Sequence, residues 1–183
     1  MTVPNILTLL RIALIPVFWV LAVSPSPLLR FLALIVFIAA SLTDLIDGKI
    51  ARKTGQITTF GKIMDPLADK LLVISALLIF VAQSRMTAVA AMIIIARELA
   101  ITSLRVVAAG EGIVMAAAKS GKWKTTAQMS YIILMLLHIT ELPFLPLPGI
   151  IETIAQWAVT LVTIWSGVDY FYANRHMIKA SVK

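Results

Sequence analysis

The chain has 183 residues, of which 60% are hydrophobic and 14% charged, and its mean hydropathy is +0.97. Water-soluble domains are usually about half apolar and about one quarter charged, so this composition excludes an ordinary soluble protein and favours a membrane protein. The absence of cysteine excludes disulfides and thiolate metal sites, and a net charge of +7 carried largely by short links between apolar stretches argues against nucleic acid as a partner.

Six mostly apolar stretches are each close to the ~20 residues that cross the hydrocarbon core of a membrane as a helix. They cover, in chain order, roughly residues 4–23, 29–48, 63–82, 87–109, 122–139 and 150–172. No gap between them is long enough for a soluble domain. The sequence therefore predicts an all-α fold, with residues 1–183 forming a single membrane domain of about six transmembrane helices. Residues 1–4 lack the charged flank of a secretory signal, so we expect the first stretch to remain as a span.

Positive charge alternates between successive links. Lysine and arginine are concentrated after the second stretch, after the fourth stretch and in the C-terminal tail, whereas the opposite links hold little more than Arg30 and Arg85. By the positive-inside rule the basic links face the cytoplasm. The pattern predicts a multi-pass protein of the cell (plasma) membrane, surrounded by membrane lipids, with both termini in the cytoplasm.

Four aspartates flank the link between the second and third stretches. Asp44 and Asp47 are three residues apart, and Asp65 and Asp69 are four apart, so each pair shares one helix face. The short link returns the chain to the same side, so we expect both pairs at similar depth near the cytoplasmic interface. Charged residues in spans are costly and mark function. Because an all-oxygen cluster suits hard cations, the sequence predicts a Mg²⁺ or Mn²⁺ site at the cytoplasmic end of the bundle.

Small residues accompany the acids on the same helices. Gly48 and Ala51 share a stripe with the first acidic pair, and Gly61 lies one turn before the second. Their lack of bulk predicts a cavity that a phosphorylated group could enter. A structural alternative pairs the aspartates with nearby cations as interfacial salt bridges, using Lys49, Arg52, Lys62 and Lys70.

The pattern Asp-x2-Asp-Gly-x2-Ala-Arg-x8-Gly-x3-Asp-x3-Asp, complete in residues 44–69, resembles the signature of the CDP-alcohol phosphatidyltransferases. The resemblance implies a six-span core in which an alcohol attacks the lipid-side phosphorus of a CDP-linked lipid and CMP leaves. By motif position it implies two bound metal ions, with Asp69 also acting as catalytic base, and metal ligands at Asp44, Asp47, Asp65 and Asp69. It further implies a homodimer, and a CMP and diphosphate pocket formed by Gly48, Ala51, Arg52 and Gly61.

Basic residues near the same predicted membrane face favour an acceptor alcohol that carries its own phosphate. Arg97 and Arg105 lie in the fourth stretch, and Lys122 and Lys124 lie in a loop predicted at residues 120–128. These segments, with residues 5–11, resemble the bacterial branch of the family that forms phosphatidylglycerophosphate. The resemblance implies CDP-diacylglycerol and sn-glycerol 3-phosphate as substrates. A structural alternative pairs Arg97 with Glu98 or another carboxylate and assigns the lysines to topology.

Two other functions are compatible with the pattern. The same transfer could use another alcohol, such as inositol phosphate or serine, although serine has no phosphate and leaves the basic residues unexplained. A divalent-cation carrier also has acidic spans, but it should place its acids near the membrane midplane with routes from both sides. The four aspartates are instead predicted toward one face.

Overall fold

The structure, a computed structural model, describes residues 3–54, 59–110, 119–140 and 149–175, with side chains for all of these except 3–5, 44–54, 59–63, 65 and 66. Every regular element within these ranges is an α-helix. In chain order the helices are α1 (Val3–Ala22), α2 (Pro27–Thr54), α3 (Thr59–Ala82), α4 (Ala88–Gly110), α5 (Lys119–Ile139) and α6 (Gly149–Ala173). The all-α prediction is confirmed, and each helix corresponds to one predicted stretch.

Three helices extend by three residues or more beyond the stretches from which they were predicted. α2 continues to Thr54 instead of ending near residue 48, α3 begins at Thr59, and α5 begins at Lys119. The predicted loop at residues 120–128 is therefore wrong, because these residues form the first turns of α5. Polar residues escape a search for apolar spans, but lysine and glutamine are good helix formers. The Thr125 hydroxyl is also satisfied within the helix, since it donates to the Gly121 carbonyl at 3.0 Å.

The chain divides into two compact units, and each is described by itself. The first unit consists of Met1–Gln83 and Ile132–Leu147, and it contains α1, α2, α3 and the last part of α5. The second unit consists of Ser84–Tyr131 and Pro148–Lys183, and it contains α4, the first part of α5 and α6. The assignment of residues 1–183 to one membrane domain stays a prediction.

In the first unit, α1 packs against α2 and α3. Phe18 and Phe37 are fully buried, and their tilted rings lie 5.7 Å apart between centroids, a favourable aromatic geometry. Alanines at buried positions, including Ala33 and Ala40, allow the helix backbones to approach closely. Aromatic rings and small residues together form the contact between α1 and α2.

Long polar side chains satisfy helix ends in the first unit. The Gln83 amide donates to the Ala22 carbonyl at the end of α1, over 3.1 Å. Arg30 donates through Nε to the Ser24 carbonyl at 2.7 Å and through Nη1 to the Ile139 carbonyl at 3.0 Å. Carbonyl groups at helix C-termini lack intrahelical partners and carry partial negative charge, so an arginine there is doubly favourable.

The described surface is rich in large apolar side chains, whereas several polar groups are buried. On α6, Leu161 and Val168 are 62% and 65% exposed, while Thr160, Thr163 and Ser166 are fully buried. The two threonine hydroxyls donate to carbonyls one turn earlier, both at 2.7 Å, so burial leaves them satisfied. Apolar residues outside and polar residues inside reverse the usual order of water-soluble proteins and suit a lipid environment.

Among the described helices, Gly149–Ala173 is long and apolar enough, by length and composition, to cross a membrane. The apolar parts of α1 and α2, Ile6–Ala22 and Pro27–Thr43, are shorter. The middle of α4 is interrupted by charged residues, which lower its apolar character although the helix has 23 residues. Six membrane crossings stay a prediction.

The aromatic contact in the first unit gives a stability prediction. We expect Phe18→Ala to lower the free energy of unfolding by about 3–5 kcal/mol, because it opens a cavity at a fully buried position. Phe31→Ala is the matched control, since Phe31 is 37% exposed, and its effect should be less than half as large. Unfolding in detergent, followed by tryptophan fluorescence, measures both changes. Equal destabilisation by the two variants would contradict the packing described here.

Candidate functional site

The aspartate signature lies on two consecutive helices of the first unit. Asp44 and Asp47 are in α2, and Asp65 and Asp69 are in α3. Asp44 lies ten residues before the end of α2 (44 to 54), and Asp69 lies ten residues after the start of α3 (59 to 69). At 1.5 Å per residue, both are about 15 Å along their helices from the ends that flank residues 55–58. Asp44 and Asp69 are therefore equally far along their helices from residues 55–58, as acids that contribute to one metal site must be.

Asp69 is the member of the acidic set whose side chain the structure describes. Its side chain is 39% exposed, and its Oδ2 accepts a hydrogen bond from Lys70 Nζ at 2.6 Å. Among the described side chains no group of three or more acids or histidines could hold a metal. The remaining signature positions lie outside the described side chains, namely Asp44, Asp47, Asp65, Gly48, Ala51, Arg52 and Gly61. Their metal-binding and CMP-binding roles stay predictions.

The donor set nevertheless fits a divalent metal by its chemistry. The two helices supply four carboxylates, and hard cations prefer oxygen ligands. The structural alternative pairs the aspartates with nearby cations as salt bridges. Asp69 does form such a salt bridge, with Lys70. A partly exposed pair of this kind contributes only about 0–1 kcal/mol, so a metal ion could replace the ammonium at small cost.

Arg11 is a candidate site residue that sequence reasoning did not assign. It is 1% exposed, and its Nε donates to the Ala40 carbonyl at 3.3 Å, one helical turn before Asp44. Thr8, one turn earlier on α1, is fully buried. A buried guanidinium close to the first acid of the signature suits an anionic substrate or the acids themselves. The signal in the sequence was a single arginine inside an apolar stretch.

In the second unit, Arg97 connects α4 to α6. Its Nη2 donates to Ser166 Oγ at 2.8 Å, and its Nη1 lies 3.8 Å from Glu98 Oε2. Gly167 lies under the stem of Arg97, where an added Cβ would stand 3.4 Å from Cγ. The missing side chain at this position leaves room for the arginine, which lines a groove of about 600 Å³ between α4 and α6.

Arg105 lies two turns further along α4 and contacts Tyr170 of α6. Its Nε donates to the Tyr170 hydroxyl at 3.3 Å, and its guanidinium carbon is 5.3 Å from the ring centroid. Tyr170 is 2% exposed, whereas Arg105 is exposed. A fixed ring that attracts the cation orients an otherwise flexible side chain.

The two predicted lysines of α5 have different surroundings. Lys124 is 1% exposed and forms an ion pair with Glu98, whose side chain is 10% exposed. Lys122 is exposed. Glu98 therefore brings together two of the four predicted acceptor-site cations, Arg97 and Lys124. The role of each cation in acceptor binding stays a prediction.

Asp169 and Ser120 form a further contact that was not predicted. The Ser120 hydroxyl in the first turn of α5 donates to Asp169 Oδ2 on α6. Ser120 is 3% exposed. On α6, Asp169 is adjacent to a stripe of buried hydroxyl-bearing residues, in which Thr163, Ser166 and Tyr170 recur at helical spacing. This stripe was the signal in the sequence that α6 makes polar contacts with a neighbouring helix.

Comparison with known proteins identifies the class to which this fold and signature belong. The sequence model of the CDP-alcohol phosphatidyltransferase family matches residues 1–165. The chain therefore belongs to the CDP-alcohol phosphatidyltransferases, a family of membrane enzymes that generally use divalent metal ions. The resemblance noted from residues 44–69 is confirmed.

Individual relatives are similar along nearly the whole chain. A Bacillus subtilis protein is 42% identical over 97% of each chain, and a Rickettsia bellii protein is 37% identical over 93% of each. A Haemophilus influenzae protein is 35% identical over 92% of this chain and 90% of its own. Each of these relatives is named CDP-diacylglycerol–glycerol-3-phosphate 3-phosphatidyltransferase.

Proposed function

We propose that this protein transfers the phosphatidyl group of CDP-diacylglycerol to sn-glycerol 3-phosphate, forming phosphatidylglycerophosphate and releasing CMP. The observation that carries the proposal is a complete signature at residues 44–69 in a chain whose relatives are named for this reaction. The similarity extends over 90% or more of both chains for each relative compared above, so it includes the basic segments as well as the acids. The reaction would belong to phospholipid biosynthesis.

We assign the acids to two Mg²⁺ or Mn²⁺ ions, held by Asp44, Asp47, Asp65 and Asp69. When bound, the ions would spread the negative charge of the diphosphate and ease the departure of CMP. Arg52 would contact the diphosphate, and three residues without bulk would leave space for CMP: Gly48, Ala51 and Gly61. The all-oxygen donor set and the matched positions of the acidic pairs on α2 and α3 support this assignment.

Asp69 would act as general base on the acceptor hydroxyl. It is the last acid of the signature, one turn beyond Asp65, and its partial exposure leaves the carboxylate accessible to a substrate. Lys70 orients the group by holding Oδ2. The carboxylate would take the hydroxyl proton while the alcohol oxygen bonds to the lipid-side phosphorus and the bond from that phosphorus to CMP breaks.

The basic set of the second unit would bind the phosphate of the acceptor. Arginine suits this role because its planar fork binds phosphate oxygens in pairs. The set consists of Arg97, Arg105, Lys122 and Lys124. Arg105 and Lys122 have exposed side chains, so both can contact a phosphate directly. Arg97 and Lys124 meet at Glu98, so they can act through their position as well as through charge.

We further propose six membrane crossings, an active site facing the cytoplasm and a homodimer. The alternation of basic links supports the orientation. The apolar exposed face of α6 supports contact with membrane lipids. The homodimer rests on the family resemblance.

Product analysis separates this function from its competitors. Purified protein is incubated with CDP-diacylglycerol, a divalent metal and one alcohol at a time, and the lipid headgroup is identified by mass spectrometry. We expect phosphatidylglycerophosphate with glycerol 3-phosphate, and no product with serine or inositol phosphate. Metal uptake into proteoliposomes without CMP release would instead favour a cation carrier.

Metal removal gives the first activity prediction. Because the proposed ligands are all carboxylates, protein treated with a chelator should lose CMP release and regain it on addition of Mg²⁺ or Mn²⁺. Metal content measured by mass spectrometry provides the control. Full activity in protein shown to be free of metal would contradict the assignment.

Substitution of Asp69 distinguishes its proposed role as general base from the metal-binding role of the other aspartates. Asp69→Asn should lower turnover by about 10²–10⁴-fold, because the amide cannot accept the hydroxyl proton. Binding of CDP-diacylglycerol should remain largely intact, whereas Asp44→Asn should also weaken metal-dependent binding. Turnover and equilibrium lipid binding are measured on the same preparations. Near-normal turnover of Asp69→Asn would show that another group takes the proton.

Substitution of Arg105 tests the acceptor site. Arg105→Ala should raise the KM for glycerol 3-phosphate by about 10- to 150-fold, which corresponds to the ~1.5–3 kcal/mol of a hydrogen bond to a charged group. The KM for CDP-diacylglycerol should change little. Arg175→Ala is the matched control, because Arg175 also stacks on a tyrosine, with its guanidinium carbon 4.4 Å from the Tyr172 ring centroid. Equal KM values for glycerol 3-phosphate in both variants and the parent protein would place the acceptor site elsewhere.

A further inference from the structure

The start of α5 is attached to both of the other helices of the second unit. Lys124 pairs with Glu98 of α4, and Ser120 donates to Asp169 of α6. Ser120 and Lys124 are one turn apart, so both contacts fall on one face of α5. Both residues are buried, with exposed fractions of 3% and 1%. The first turns of α5 are therefore fixed from two directions.

The ion pair compensates a charge that is almost fully buried. A lysine ammonium that is almost fully buried is stable only when an opposite charge compensates it. Glu98 supplies that charge, and its second oxygen lies 3.8 Å from Arg97 Nη1. Because Lys124 is 1% exposed and directed to Glu98, its ammonium is poorly placed to meet a water-soluble phosphate compound.

Lys122 has the opposite orientation on the same helix. Two residues of helix correspond to about 200° of rotation, so Lys122 lies on the face away from Lys124. Its side chain is exposed, in agreement with this geometry. Any shift or rotation of the first turns of α5 would move Lys122 together with the buried face.

We propose that the Glu98–Lys124 ion pair, assisted by the Ser120–Asp169 hydrogen bond, positions the first turns of α5 so that Lys122 meets the acceptor phosphate. The inference rests on the proposed function and deepens it. It divides the basic set, with Lys122 as a phosphate ligand and Lys124 as a positioning residue. Glu98, Ser120 and Asp169 become determinants of acceptor affinity, although none of them carries a charge that attracts phosphate.

Removal of one charge tests the ion pair. Glu98→Gln should raise the KM for glycerol 3-phosphate about tenfold or more, equivalent to about 1.4 kcal/mol, because loss of one partner of a buried ion pair weakens the attachment of α5 to α4. The KM for CDP-diacylglycerol and the kcat at saturation should stay within about twofold of the parent values. Lys124→Arg keeps the charge and should retain most of the acceptor affinity. An unchanged KM for glycerol 3-phosphate in Glu98→Gln would overturn the proposal.

A double variant distinguishes positioning from direct contact. Replacement of a buried ion pair by neutral side chains of similar size is often tolerated, whereas removal of one partner is not. Glu98→Gln combined with Lys124→Met should therefore recover a KM for glycerol 3-phosphate within about threefold of the parent value. Lys124→Met alone should not recover it. If the double variant is as impaired as Lys124→Met alone, Lys124 contacts the phosphate itself and the positioning role is wrong.

Glu152→Gln is the matched control for loss of a paired carboxylate. Glu152 Oε1 accepts from Arg85 Nη1 at 2.7 Å in the first turn of α6, and it lies 17 residues before Asp169, about 25 Å along the helix. This variant should leave the KM for glycerol 3-phosphate unchanged. Gel filtration in detergent establishes that each variant is folded. Should Glu98→Gln not fold, Ser120→Ala carries the same test with a smaller expected increase of about threefold, and no increase would overturn the proposal.

Activity of the unsubstituted parent protein distinguishes failure of this proposal from failure of the proposed function. If it releases no CMP when glycerol 3-phosphate is added to CDP-diacylglycerol, the proposed function itself fails. If it does release CMP, and the variants leave the KM for glycerol 3-phosphate unchanged, the failure concerns the positioning of α5 alone.

Discussion

Compensation of charge inside an apolar chain is the constraint on which the rest of this structure depends. Only 14% of residues are charged. Because removal of a charge from water is costly, each charge that is buried among the apolar residues needs a specific partner. The buried Lys124 pairs with Glu98, and the partly buried Arg30 donates to the carbonyl groups of Ser24 and Ile139. These partners fix contacts between helices that apolar packing alone leaves free to slide. The same requirement makes a cluster of carboxylates a site for cations, because acids held close together repel one another unless they are neutralised.

The sequence carried enough information for the number and order of the helices. Long apolar stretches separated by short links correspond one to one with α1 to α6. Helix ends were less predictable, because α2 and α5 continue through polar residues that no apolar criterion includes. The start of α5 is the clearest example. Residues 119–124 have the polar, glycine-containing composition typical of a loop, yet they are helical and make buried contacts to α4 and α6.

The two parts of the candidate site differ in how far sequence alone could describe them. The acids are three and four residues apart within their two pairs, so local helix periodicity was sufficient to place each pair on one helix face. Several contacts in the second unit join residues that are distant in sequence. Ser120 and Asp169 are separated by 49 residues, and Arg97 and Ser166 by 69, so neither pair has a local pattern. The sequence prediction consequently named the cations and Glu98, but not Ser120, Ser166 or Asp169.

The fate of the acceptor oxygen tests the central claim most directly. Glycerol 3-phosphate carrying a heavy oxygen isotope in its primary hydroxyl is incubated with the protein, CDP-diacylglycerol and Mg²⁺, and the lipid product and CMP are analysed by mass spectrometry. Attack of the alcohol on the lipid-side phosphorus predicts that the heavy oxygen appears in the phosphodiester of phosphatidylglycerophosphate, with unlabelled CMP. Absence of a labelled lipid, or heavy oxygen in the released CMP, would contradict the account.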